Sequence, residues 1–247
     1  MLGPAEILDE IDSTNAELRR RAAAGAPAGL VLVARHQTAG RGRRDRSWEA
    51  PPGSSLLVSV LLRPTLEVED LHLCTVTAGL AALRACAAEG EVGASLKWPN
   101  DVVVDGPDGA RKLAGLLAES VVEGNRVAAL VVGMGLNVNW PAEVPGGGVA
   151  LNQLLGRAVD GDGLLRRWVE AFGSLVAGLA TAEGRDQVRD AHRAACSTIG
   201  RRVRVEATGG PVEGVAEAID HAGHLVLSDG RTFAVGDVVH VRHVSAT

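Results

Sequence analysis

Residues 94–138 read ASLKWPNDVVVDGPDGARKLAGLLAESVVEGNRVAALVVGMGLNV. Four strand-like runs stand in this stretch: Ala94 to Trp98, Asp101 to Val104, Lys112 to Val121 and Val127 to Val138. The breaks between them are short and built from turn formers, Pro99-Asn100, Asp105-Gly106-Pro107-Asp108-Gly109 and Glu123-Gly124-Asn125. Parallel strands need a long crossover, whereas antiparallel ones are joined by short turns. The spacing therefore predicts a largely antiparallel sheet.

Working outward from this core, Ile7 to Ile11 reads as a short strand. Ser13-Thr14-Asn15 follows, then a helix to about Ala24, with Thr14 and Glu17 at capping-box spacing and Gly25 as the stop. Leu30 to Ala34 and Ser55 to Leu62 read as strands, and Asp70 to Ala88 as an alanine-rich helix. Downstream, Pro141 to Gly148 is a Pro/Gly-rich loop, followed by helices over Asp162 to Ala180 and Asp186 to Ala194. After Cys196 the pattern changes. Val203, Val205, Val212, Val215, Leu225, Leu227, Phe233, Val238 and Val241 fall in short runs separated by Gly209-Gly210, His221-Ala222-Gly223 and Asp229-Gly230. Such runs predict a small β-barrel. The expected fold is α+β: a mixed, largely antiparallel sheet flanked by helices over residues 1–196, and a small all-β unit over residues 197–247.

Composition narrows the function classes. At 247 residues the chain can bury a large core and carry a small appendage. Hydrophobic residues make up 46% and the formal net charge is −5, so non-specific nucleic-acid binding is not its main task. No apolar run reaches the length of a membrane span. Residues 1–12 carry Glu6, Asp9, Glu10 and Asp12 and lack the basic and apolar regions of a signal peptide. Cys74, Cys86 and Cys196 lack metal-ligand spacing; they are expected reduced, mostly buried and cytoplasmic.

Against that acidic background stands Gln37-Thr-Ala-Gly40-Arg41-Gly42-Arg43-Arg44-Asp45-Arg46-Ser-Trp48, directly after a strand. Glycine permits close backbone approach, and arginine presents a planar fork suited to phosphate and carboxylate. A wrap for a phosphate-containing ligand and an idle basic loop or RNA patch both fit these residues. Only two cations outside the arginines exist, Lys97 and Lys112. An ammonium is a point charge on a flexible stem, so their survival in an arginine-rich chain suggests a geometric need, or chance. Gly133-Met-Gly-Leu-Asn137-Val-Asn139 lacks the third glycine and following helix of a dinucleotide fingerprint. It suits either ligand approach or a plain strand end. Ser13-Thr14-Asn15 can cap a helix or bind a polar ligand there. Lys97-Trp98-Pro99-Asn100-Asp101 offers a cation, an amide and a carboxylate, or merely a turn.

Ser13-Thr14-Asn15, Gln37-Thr-Ala-Gly-Arg-Gly-Arg43, Trp48, Lys97-Trp-Pro-Asn-Asp101, Lys112-Leu-Ala-Gly115 and Gly133-x-Gly-x-Asn137 occur in the order and spacing seen in biotin–protein ligases. The chain resembles that family from about Ile7 to its end, where Val203-Arg-Val, Gly214, Ile219-Asp220-x-x-Gly223-x-Leu225 and Gly236-Asp237-Val238 look like the family's SH3-like barrel. The resemblance implies activation of biotin by ATP to biotinyl-5′-adenylate, with Mg²⁺, and transfer to a lysine of a biotin carboxyl carrier domain of an acyl-CoA or pyruvate carboxylase. It implies that Ser13, Thr14, Asn15, Gln37, Gly40 and Gly115 hold biotin, and that Arg41, Gly42 and Arg43 close over the adenylate. Lys112 would touch the biotin carboxyl and the phosphate. Arg46, Trp48, Lys97, Asn100 and Asn137 would serve the nucleotide, with Asn137 at the adenine, and Asp101 the metal.

Asp45 stands where the family often has glycine. A catalytic unit beginning near Met1 leaves no room for the DNA-binding domain of repressor-type members, so the expected form is the non-repressor one, a monomer or weak homodimer binding neither DNA nor membrane. A lipoate- or octanoate-handling enzyme, a biotin-binding regulator without catalysis and a basic-loop RNA binder are the competing readings. The Gly-Arg-Gly-Arg loop and Lys-Trp-Pro-Asn-Asp favour biotin over lipoate.

Overall fold

The computed structural model describes residues 1–44, 46–124, 126–207, 209–234 and 236–240. Asp45, Asn125 and Val241, each part of an expectation above, lie outside the described residues. The first sheet has seven strands: β1 (Ala5–Ile11), β2 (Val31–Gln37), β3 (Ser55–Leu62), β4 (Ala94–Lys97), β5 (Asp101–Gly106), β6 (Gly109–Glu123) and β7 (Arg126–Asn137). Their order is β1-β2-β3-β7-β6-β5-β4. Only β1 and β2 pair in parallel, and all other neighbours are antiparallel, as the short turns predict. The first pair is parallel because helix α1 (Thr14–Ala23) forms its crossover.

The helices cover both faces. Leu18 and Ala22 of α1 pack on Leu32, Leu61, Ala129 and Val131. On the other face, α2 (His72–Ala87), α4 (Gly161–Gly178) and α5 (Ala182–Ala195) enclose the main core with Val31, Val33, Val58 and Val132. Neighbouring residues of β2 thus point to different cores, as strand pleating requires. All eight residues of β3 are buried, which explains its nearly unbroken apolar sequence. Gly79 lets α2 approach closely: a Cβ there would stand 2.9 Å from Leu96.

Two local expectations need correction. The cap of α1 is Ser13, one residue earlier than the capping box implied; its hydroxyl accepts from the Ala16 amide at 3.4 Å. Glu17 instead pairs with Arg20 and Arg21. A short helix α3 (Leu151–Leu155) follows the Pro/Gly-rich loop; at 5 residues it is too brief to show periodicity.

The second sheet holds β8 (Arg202–Ala207), β9 (Gly210–Ile219), β10 (Leu225–Leu227), β11 (Thr232–Phe233) and β12 (Asp237–His240), in the order β11-β10-β9-β8-β12. It is antiparallel throughout. The first half of β9 pairs with β8 and the second half with β10, so one long strand serves both parts of the small β unit. Its core is Val203, Val205, Ala216, Ile219, Leu225, Leu227 and Val238, joined by Trp98 and Cys196. Among the described residues, no helix is long and apolar enough to cross a membrane.

Candidate active site

One pocket opens where α1, the loop after β2 and the strands β5 to β7 converge. At its first end lie Ser13, Thr14 and Asn15, all buried at the start of α1. The Thr14 amide and hydroxyl both donate to Gln37 Oε1, at 2.7 and 3.0 Å. Asn15 Nδ2 donates to Glu119 Oε2 at 2.9 Å and to the Leu117 carbonyl at 3.2 Å, which fixes the amide so that Oδ1 faces Ser59. The Ser59 hydroxyl is 2.6 Å from that Oδ1 and 2.7 Å from Thr14 Oγ1. The Thr14 hydrogen is already committed to Gln37. Ser59 has one hydrogen for two acceptors, so this end carries a surplus of acceptor oxygen. A ligand bringing N–H groups satisfies it.

The opposite end is cationic. The two arms of the arginine loop are drawn together by the Arg41–Ser47 bridge and by Gly42 N donating to the Arg46 carbonyl at 2.7 Å. Arg41 pairs with Glu119 at 3.2 Å. Arg43 donates to Asn100 Oδ1 at 3.1 Å and to the Gly236 carbonyl at 3.4 Å; burial pulls its guanidinium below the ordinary arginine pKa. Arg44 donates to the Glu206 carbonyl at 3.2 Å, and Arg46 pairs with Asp237. The arginine loop is therefore strapped to the second sheet. Lys112 Nζ is 2.8 Å from Asp101 Oδ1 and 5.5 Å from the centre of the Trp48 ring.

Trp48 divides the pocket. Its indole lies flat against two strands at glycines: a Cβ at Gly115 would stand 2.9 Å from Cζ3, and one at Gly135 2.5 Å from Cε2. The remaining cavity is about 110 Å³, well below the ~300 Å³ from which drug-sized sites begin. Trp48 Nε1 is buried without a hydrogen-bond partner among the described residues. The indole occupies space that a larger ligand would take.

The pocket lining brings together Ser13, Thr14, Asn15, Gln37, Arg41, Gly42, Arg43, Arg46, Trp48, Asn100, Asp101, Lys112 and Gly115. Three expected residues lie outside it. Asn137 is buried, and its amide donates to the Val149 carbonyl at 3.1 Å and the Lys112 carbonyl at 3.5 Å, so it ties β7 to the chain before α3. Gly40 accepts from the Trp48 amide at 2.9 Å and closes the base of the arginine loop. Lys97, at the end of β4, does not line the pocket but stands within electrostatic range of Asp101, Lys112 and Asp237; burial lowers its pKa. Ser59, Glu119 and Asp237 were missed. Ser59 had a signal, a hydroxyl inside an otherwise apolar strand. Glu119 and Asp237 had none, because their arginine partners are distant in sequence.

As a metal ligand Asp101 stands alone. Its carboxylate is neutralised by Lys112, and among the described residues no three His, Cys, Asp or Glu side chains converge on a metal position. The described residues offer no all-protein Mg²⁺ cage, but Mg²⁺ carried on nucleotide phosphates needs only one or two carboxylates, a number that Asp101 in the pocket lining suits.

The fold and pocket together define a small-molecule-binding α+β domain with a hydrogen-bonding end, a cationic end and an aromatic divider. The chain belongs to the biotin/lipoate A/B protein ligase family, whose model matches residues 8–137. The model of the biotin protein ligase C-terminal domain matches residues 198–241. The chain is 39% identical over 247 residues to a Mycobacterium tuberculosis protein named biotin–[acetyl-CoA-carboxylase] ligase, covering 96% of this chain and 89% of that one. It is 33% identical over 231 residues to a Paracoccus denitrificans protein of the same name, covering 90% and 92%. Its fold matches the Aquifex aeolicus biotin protein ligase in complex with biotin and ATP with a TM-score of 0.82, at 25% identity, over 98% of this chain and 100% of that one.

Proposed function

We propose that this protein is a biotin–protein ligase, joining biotin to a lysine of a biotin carboxyl carrier domain through biotinyl-5′-adenylate. The observation that carries this reading is the two-ended pocket. The acceptor surplus at Ser59, Thr14 and Asn15 suits the two N–H groups of biotin's ureido ring, while Lys112 and Arg43 stand where the acid and the nucleotide phosphates would meet.

In the first half-reaction, a carboxylate oxygen of biotin attacks the α-phosphorus of ATP. The new O–P bond forms as the bond to pyrophosphate breaks. Two anions must approach, and Lys112 and Arg43 supply fixed positive charge to that encounter. Magnesium enters as part of the MgATP substrate. Asp101 is assigned to Lys112, holding the ammonium in the pocket. In the second half-reaction, the amine of an acceptor lysine attacks the acyl carbon, loses a proton, and the acyl C–O bond breaks to release AMP. The mixed anhydride is prone to hydrolysis, so water must be kept out in between; the Arg41–Arg43 segment and Trp48 are placed to cover it.

A division into a catalytic unit, residues 1–196, and a C-terminal unit, residues 197–247, accompanies this reading. The described cysteines are all free and buried, which supports a reducing compartment, the cytoplasm. The test is pyrophosphate release from ATP. Biotin should trigger it and lipoate should neither trigger nor compete; release with lipoate alone would reassign the substrate.

A further inference from the structure

Trp98 belongs by sequence to the turn between β4 and β5, at the edge of the first sheet. By packing it belongs to the other unit. Its ring is 3% exposed and joins the second sheet's core beside Cys196, Val203 and Leu225. Its Nε1 donates to the Gly223 carbonyl in the turn between β9 and β10 at 2.9 Å. Its backbone amide donates to Thr198 Oγ1 at 3.1 Å, and Thr198 is fully buried. One residue before β4 ends, the Leu96 carbonyl accepts from the Ser197 amide at 2.8 Å. Gly236 packs against the outer edge of the same indole, where a Cβ would lie 3.6 Å from Cζ3.

The residues just beyond Trp98 face the pocket. Asn100 accepts from Arg43, and its Nδ2 donates to the Leu116 carbonyl at 2.6 Å. Asp101 holds Lys112. On one side the turn is held by the first sheet, where the Leu116 amide donates to the Asn100 carbonyl at 2.9 Å; on the other it leaves β4, a four-residue edge strand paired on one side only within its sheet. The buried indole and its hydrogen bonds to the second unit anchor that second side.

We propose that Trp98 is a positioning residue: a strut by which the second sheet sets Asn100 and Asp101, and through them Arg43 and Lys112, at the phosphate end of the pocket. This rests on the ligase reading above. The ureido end is built from α1, β3, Gln37 and, through Leu117 and Glu119, the part of β6 beyond Leu116; none of its hydrogen bonds is to the turn itself. Lys112 and Arg43 also meet the biotin carboxylate, so the strut bears chiefly on nucleotide use and only slightly on biotin binding, most of which the ureido end supplies.

The test compares wild-type protein with Trp98→Phe, which keeps the aromatic bulk and removes the Nε1 donor. Thr198→Val, which removes the acceptor on the other side, and Thr198→Ser, which restores it, complete the set. KM for ATP and kcat are read from pyrophosphate release, and biotin Kd from calorimetry. Trp98→Phe and Thr198→Val should each raise KM for ATP about 5-fold, the effect of one ordinary hydrogen bond, with biotin Kd within about 2-fold and Thr198→Ser near wild type. Should Trp98→Phe not fold, the two Thr198 variants decide the matter by the same split. ATP and biotin affinities falling together, or neither moving, would overturn the strut. A wild-type protein inert with biotin and ATP would overturn the ligase reading instead.

Discussion

Lys112 and Asp101 form the ion pair at the centre of the phosphate end, Nζ to Oδ1 at 2.8 Å. They come from adjacent antiparallel strands, β6 and β5, at a point where the ladder shifts register between Val102 and Val103. The irregularity brings the two charges together beside the Trp48 ring. Replacing Lys112 with Ala should lower the rate of pyrophosphate release by roughly 100-fold or more, the scale of losing a fixed charge at a developing anion. Lys112→Arg should fail to restore it, because a planar guanidinium cannot occupy a point-charge position. A near-normal rate in Lys112→Ala removes Lys112 from the chemistry, and one in Lys112→Arg overturns the point-charge requirement.

Arg43 reaches from the loop across the pocket to Asn100 and the Gly236 carbonyl. Arg43→Ala should let the adenylate escape or hydrolyse roughly 10-fold faster, corresponding to one charge-assisted hydrogen bond. The half-life of adenylate on the enzyme, followed with labelled biotin, checks this. Unchanged retention contradicts a covering role.

Gly133 faces Asn15, and a Cβ at that position would overlap Asn15 Oδ1. Gly133→Ala should push the Asn15 amide away from Ser59 and Glu119. Biotin affinity should fall while ATP-dependent steps at saturating biotin recover most of their rate, and stability should drop by about 1–3 kcal/mol for overpacking. Calorimetric biotin binding and thermal unfolding read the two effects separately.

His192 is buried between α5 and α2, and burial, reinforced by the positive fields of His72 and Arg193, lowers its pKa from 6.5 to about 4. The folded state thus binds this proton less readily than the unfolded chain. Stability is fully present above the unfolded value near 6.5 and is lost as pH falls toward 4, with a slope of up to about 1.4 kcal/mol per pH unit. His240, similarly lowered by burial to about 4, adds a second group with the same sign. Unfolding midpoints measured from pH 7 to pH 4.5 should fall, and His192→Gln should flatten that fall. An unaltered pH profile in the variant contradicts the assignment.

Much of this was legible in the sequence, for identifiable reasons. The strands between Ala94 and Val138 announced themselves because their turns are short and chemically plain. The glycine–arginine loop stood out because its charge opposes that of the chain. What escaped were pairings made only by the fold: Glu119 meets Asn15, Arg19 and Arg41 across the sheet, and Asp237 meets Arg46 across the two units. Asn137 is a similar case. Its motif left ligand approach and a plain strand end open, and the hydrogen bonds of its amide to buried carbonyls were not legible in the sequence. Trp98 stood within the Lys97–Asp101 segment, and only three-dimensional packing assigned it to the core of the other sheet.

The account rests on transfer of biotin to another protein, and one measurement addresses that directly. The protein is incubated with biotin, MgATP and a purified biotin carboxyl carrier domain, and the mass of that domain is recorded. The account predicts a gain of one biotinyl group on a single lysine, dependent on both biotin and ATP. A carrier domain of unchanged mass, under conditions where a known biotin–protein ligase modifies it, would contradict the account.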